Sequence, residues 1–91
     1  MTALRLRITG RVQGVGFRDW LLAEAERHGL SGWVRNRADG TVEALLAGET
    51  PAVQAVVSAC RLGPPLARVT AIEESFAEPP GEPGFQRLPT L

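Results

Sequence analysis

Several residue types are absent or scarce in this chain of 91 residues, and each absence excludes some chemistry. There is no lysine, which excludes a Schiff-base enzyme and a phosphate-binding loop of the Walker type. Cys60 is the single cysteine, so the chain has neither an internal disulfide nor a cysteine metal cluster. Tyrosine is also absent, and no aromatic pattern suited to base stacking is present. We therefore expect no nucleic-acid partner, no metal and no cofactor.

Long apolar runs are missing as well. No segment approaches the 18 apolar residues typical of a membrane-spanning helix. Met1 is followed by Thr-Ala-Leu-Arg rather than by an apolar targeting segment. These features predict a cytoplasmic protein that does not bind membranes. The length predicts one domain over residues 1–91.

Charge is distributed unevenly along the chain, although the formal net charge is zero. Residues 1–37 contain seven arginines and three acidic residues, a charge of +4, and residues 38–91 carry the opposite charge of −4. One interpretation is that the basic half binds a small anionic ligand. The other is that these charges pair with each other in the folded protein. Charge alone leaves both open.

The hydrophobic pattern predicts a ferredoxin-like α+β fold. Alternation at Leu4, Leu6 and Ile8 indicates a half-buried strand. A helical stripe follows from Phe17 and ends at Gly29. The remaining predicted elements are strands over residues 31–36 and 41–46 joined by an Asp39-Gly40 turn, a helix with Thr50 as its N-cap, a strand over residues 68–76, a Pro/Gly-rich loop over residues 78–84 and a possible short edge strand over residues 85–88.

The predicted order is β-α-β-β-α-β, the split βαβ arrangement. We expect a two-layer sandwich in which both helices cover one face of an antiparallel sheet of four or five strands. This fold hosts many functions, so the function has to be argued from a site.

The segment GRVQGVGFR, Gly10 to Arg18, joins the first strand to the first helix. A glycine-bearing bend can turn consecutive backbone N–H groups inward as an anion nest, and the helix N-terminus adds further donors. Arg18 falls in the first helical turn, where a cation is unfavourable unless an anion lies beside it. These features favour a phosphate-binding loop. A tight structural bend is the alternative that the loop alone leaves open.

GRVQGVGFR resembles the signature of the acylphosphatase family, and GWVRNRADGTVE, Gly32 to Glu43, resembles that family's second conserved block. The resemblance covers roughly residues 4–76. It implies the ferredoxin-like fold and a metal-independent hydrolysis of acyl phosphates to a carboxylate and inorganic phosphate. The Pro/Gly-rich stretch and Phe85 to Leu88 match the family's last strand less closely, so the pairing of the C-terminal segment is left open.

The resemblance also implies site residues. Arg18 would bind the phosphoryl group and Asn36 would orient the attacking water. The backbone amides that form the cradle would be those of Gln13, Gly14, Val15, Gly16, Phe17 and Arg18. Asp19, beside Arg18, is expected to support the helix dipole and to hold Arg18.

Two other classes of function are compatible with these features. The chain could be a non-catalytic module that binds acyl or carbamoyl phosphates, or a structural ferredoxin-like domain. The presence of both Arg18 and Asn36 favours the enzyme. We expect a monomer whose partners are a small-molecule acyl phosphate and the inorganic phosphate product.

Overall fold

Five strands form one sheet in the computed structural model, which describes residues 1–91. The elements in chain order are β1 (Thr2–Arg11), α1 (Phe17–Arg27), β2 (Ser31–Asn36), β3 (Val42–Gly48), α2 (Thr50–Cys60), β4 (Arg68–Phe76) and β5 (Phe85–Arg87). The predicted βαββαβ order and ferredoxin-like fold are confirmed. β2 and β4 have the bounds expected from the sequence, and the segment 85–88 does form a short edge strand.

The strand order across the sheet is β4-β1-β3-β2-β5. The contacts of β1 with β3, β1 with β4 and β2 with β3 are antiparallel, as expected. β5 pairs with β2 in parallel, so the sheet is mixed and the expectation of a purely antiparallel sheet is wrong for this strand. The reason is topological, because β4 ends at the end of the sheet where β2 begins. A chain that crosses that end and enters beside β2 must run in the same direction as β2.

The core lies between the sheet and the two helices. The apolar alternation of β1 places Leu6 and Ile8 in it with no exposed surface. Seventeen buried residues form this cluster, to which α1 contributes Phe17, Leu21 and Ala25 and α2 contributes Val53, Val56, Val57 and Cys60. The predicted stripes of both helices are therefore the faces that pack on the sheet. No helix is long and apolar enough to cross a membrane.

The helix ends differ in how well the sequence predicts them. Gly29 follows α1 with φ 69°, and Leu30 donates its N–H to the carbonyl of Ala25, which completes a Schellman-type stop. The N-cap of α2 is Glu49, not Thr50, and no side chain caps it. The Thr50 hydroxyl instead hydrogen-bonds the Thr2 hydroxyl, so a tertiary contact takes the group that would otherwise cap the helix.

Candidate functional site

The loop between β1 and α1 has the backbone conformation of an anion nest. Gly14 and Gly16 have φ of 73° and 79°, and Val15 between them has a negative φ, since only glycines have positive φ in this chain. Alternating signs of φ turn successive N–H groups toward one point. Gly16 is also the N-cap of α1, and no side chain caps this helix. The two glycines are therefore required by the shape of the loop.

The N–H groups of this loop have no partner in the protein. None of the backbone N–H groups from residue 13 to residue 19 donates a hydrogen bond within the chain. Helix N-termini usually satisfy such donors with a capping side chain, with water or with a ligand. The unpaired donors and the helix dipole create a positive potential at this point. The N–H groups of the loop can thus donate hydrogen bonds to several oxygen atoms of one anion.

Arg18 is the half-buried cation at this helix N-terminus. Its Nη1 donates to the carbonyl of Leu88 at 3.3 Å, and no carboxylate lies within ion-pair distance of it. The carbonyl contact orients the guanidinium without neutralising it. An uncompensated charge and the unpaired amides beside it both favour an anion in the same place.

Asn36 is the last residue of β2, directly before the β2–β3 turn. Its side chain makes no hydrogen bond within the chain, so its amide is free to donate to and accept from a water. The turn itself is well held. Thr41 donates from its backbone and from its hydroxyl to Asp39, at 3.0 and 2.7 Å, and these bonds lower the pKa of the Asp39 carboxyl.

One cleft of about 210 Å³ brings most of the predicted site residues together. It is lined by Val12, Gly14, Gly16, Phe17, Arg18, Asp19, Asn36 and Arg87. Arg18, in the first turn of α1, and Asn36, at the end of β2, share this cleft, a convergence that the sequence permitted without requiring. Gln13 and Val15 do not line it. The side-chain amide of Gln13 makes contacts elsewhere, although its backbone N–H has no partner, and Val15 packs against the hydrophobic core.

The structure places a second arginine at the cleft. The Nε atom of Arg87 lies 3.0 Å from Oδ1 of Asp19, so Asp19 pairs with Arg87, and the expectation that it holds Arg18 is wrong. The reason is the position of β5, which pairs with β2 and contacts α1, so that Arg87 reaches Asp19. Sequence reasoning missed Arg87 because a strand of three residues has no readable period.

Other features of the protein do not compete with this cleft. A larger groove of about 630 Å³ lies between α2 and β4, but it contains neither an amide nest nor an unpaired cation. His28 lies at the far end of α1 and contacts the carbonyl of Glu24 with its ring. No group of three or more His, Cys, Asp or Glu side chains is arranged to hold a metal ion.

Known proteins resemble this chain in sequence. The sequence model of the family described as Acylphosphatase matches residues 4–87. The chain is 63% identical to the acylphosphatase of Acidiphilium cryptum over 90 residues, which is 99% of each chain.

Solved structures give the same result. The crystal structure of acylphosphatase from Bacillus subtilis superposes with a TM-score of 0.93 at 40% identity, covering 97% of this chain and 99% of that one. Full-length HypF contains a similar region, with a TM-score of 0.87 at 26% identity, but the match covers only 12% of that chain. The family model and the full-length relatives together show that this chain belongs to the acylphosphatase family.

Proposed function

We propose that the loop amides, Arg18 and Asn36 together hydrolyse the carboxyl–phosphate bond of acyl phosphates. Family membership supports the reaction, and the cleft supports the assignment of the residues. The observation that carries the assignment is the set of unpaired backbone N–H groups at residues 13–19, beside a cation without a carboxylate partner. In this proposal the amides and Arg18 bind the phosphoryl oxygens, and Asn36 orients a water.

The reaction needs few side chains. The leaving group is a carboxylate whose conjugate acid has a pKa of about 4, so it departs without a general acid. The water oxygen forms a bond to phosphorus while the bond between phosphorus and the acyl oxygen breaks. The electron pair of the broken bond stays on the oxygen of the carboxylate. One proton of the water passes to a phosphoryl oxygen. The phosphoryl group, now carrying the oxygen of the water, leaves as inorganic phosphate.

Positioning and electrostatic stabilisation account for most of the catalysis of phosphoryl transfer. Arg18 and the nest hold donors toward the oxygens on which charge gathers, and they are in place before the substrate arrives. Asn36 does not titrate in the useful range, so it acts by orienting the water and not as a base. The proposal therefore predicts no loss of rate around pH 6–7 of the kind that a histidine base would cause.

The test is the hydrolysis of benzoyl phosphate with a metal chelator present. Wild type, Arg18→Ala and Asn36→Ala are compared, with Gln54→Ala on the exposed side of α2 as a control for substitution in general. Removing a preorganised charge stabiliser costs about 10²- to 10³-fold in rate, so we expect at least that loss for each site variant and none for the control. A folded wild type that binds phosphate but turns over no substrate would favour the non-catalytic binding module.

We also propose that the chain acts as a single-domain monomer over residues 1–91, in the cytoplasm, without nucleic acid, membrane or metal. The zero net charge supports the absence of a nucleic-acid partner. Light scattering during size-exclusion chromatography measures the mass, and a value near 9.8 kDa is the expected result. A mass near twice that value would contradict the monomer.

A further inference from the structure

The two sides of the cleft belong to strands that are not neighbours. The nest follows β1 and Asn36 ends β2, and β3 lies between these strands in the sheet. The sheet ladder therefore joins the nest to Asn36 only through β3. If Asn36 orients a water toward an anion held by the nest, some contact beyond the ladder has to fix the distance between the two.

The side chain of Gln13 makes that contact. Its Nε2 donates to the carbonyl of Arg37 at 2.8 Å and to the carbonyl of Thr41 at 2.9 Å. Both hydrogens of the amide are thus used, and both acceptors lie in the β2–β3 turn. Gln13 directly precedes Gly14 of the nest, and Arg37 directly follows Asn36. One amide therefore ties the first residues of the nest to the residue next to Asn36.

The acceptors are themselves fixed. The carbonyl of Thr41 also receives the N–H of Arg37 at 2.8 Å, which closes the turn. On the other side of β2, the N–H of Leu91 donates to the carbonyl of Asn36 at 3.0 Å. Asn36 is thus held from the C-terminal segment as well, and the Gln13 contact links the residue beside Asn36 directly to the nest.

We propose that the side chain of Gln13 is a positioning residue for hydrolysis, acting through Asn36. This inference rests on the function proposed above. Misplacement of a catalytic group by about 1 Å can cost about 10²-fold in rate. Because Leu91 still restrains Asn36 when the amide is lost, we expect a smaller effect, of about tenfold.

The test is Gln13→Met, which has a similar length and no hydrogen-bond donor. Gln54→Met on the exposed side of α2 is the matched control. Turnover of benzoyl phosphate and competitive inhibition by inorganic phosphate are measured for each folded variant. We expect kcat to fall about tenfold while the inhibition constant of phosphate changes less than twofold, because the nest amides and Arg18 remain. The control should leave both unchanged.

A double-mutant cycle separates positioning from a general loosening of the loop. In the Asn36→Ala background, Gln13→Met should change kcat less than twofold, because the group it positions is gone. The same tenfold loss in both backgrounds, or an equal loss in kcat and phosphate affinity, would overturn the inference. If Gln13→Met does not fold, Gln13→Asn replaces it in the same measurements, because its shorter side chain cannot reach both carbonyls.

The outcomes also distinguish this inference from the proposed function. An inert wild type refutes both. An active wild type that loses rate in Asn36→Ala but not in Gln13→Met refutes only the positioning role of Gln13.

Discussion

Raising the pH should destabilise this protein through one buried thiol. Cys60 lies at the end of α2 with no exposed surface, within the core cluster. Burial raises the pKa of the Cys60 thiol from 9.0 to about 12, and the nearby charge of Glu24 adds to the increase. Lysine and tyrosine, the other side chains that ionise in this pH range, are absent from the chain. We therefore expect Cys60 to govern how the free energy of unfolding changes with pH above pH 9.

The sign and size of the effect follow from proton linkage. The folded protein holds the proton more tightly than the unfolded chain, so this contribution to stability is complete below pH 9 and is lost as the pH rises toward 12. Between these values the free energy of unfolding should fall by about 1.4 kcal/mol per pH unit. The loss between pH 8 and pH 11 is then roughly 2–3 kcal/mol, a large share of the stability of a small domain.

Urea unfolding at pH 8, 9, 10 and 11, followed by tryptophan fluorescence in a reducing buffer, measures this loss. Cys60→Ala is the matched variant. It should be less stable than wild type at pH 8 by about 1–2 kcal/mol, because a small cavity replaces the sulfur, and its stability should not change with pH. If Cys60→Ala loses as much stability as wild type between pH 8 and pH 11, the reasoning is wrong.

Two further predictions test the strand beside the site and the charge at the cleft. Gly32→Ala should destabilise the protein by roughly 3 kcal/mol or more in urea unfolding, because φ is 136° and the new Cβ would lie 1.8 Å from the carbonyl oxygen of Leu45; a loss below 1 kcal/mol would contradict this. Asp19→Asn should strengthen competitive inhibition by inorganic phosphate about two- to fivefold at low ionic strength, because it removes a carboxylate from the cleft and frees Arg87. The gain should shrink in 0.5 M salt, and Glu26→Gln, on the exposed side of the same helix, should show no gain.

The parts of the fold that could be predicted are those whose signal is local. Alternation in β1, the helical stripes and the glycine stop after α1 each depend on a period or on one backbone conformation. β5 lacks such a signal, because three residues are too few for a period and its direction is set by where β4 ends. The Thr50 hydroxyl illustrates a second limit, since its partner Thr2 is 48 residues away.

The residues of the candidate site also differ in how far the sequence alone predicts them. Gly14 and Gly16 indicate a nest because glycine adopts positive φ at little cost, so the shape of the loop can be inferred from the residues themselves. Arg18 was indicated by its position in the first helical turn, whereas the role of Asn36 was assigned through the resemblance to a family. The side-chain contacts of Gln13 and Arg87 could not be inferred, because each depends on a segment that is distant in sequence and comes close only in the folded sheet.

The charge pattern along the chain also has a structural explanation. Four of the seven arginines in residues 1–37 form ion pairs, since Arg5 and Arg37 share Glu43, Arg7 pairs with Asp39, and Arg27 pairs with Glu24.

The arginines of this half that form no ion pair differ in their surroundings. Arg11 is exposed at the end of β1, and Arg35 stacks on the ring of Trp33 at 4.7 Å. Arg18 alone among them lines the cleft with the unpaired amides. Pairing between the two halves therefore accounts for three of the seven arginines, and Arg18 is left as an unpaired charge at the cleft. The positive potential at the cleft is consequently local, and it comes from the nest and one guanidinium rather than from the field of the whole basic half.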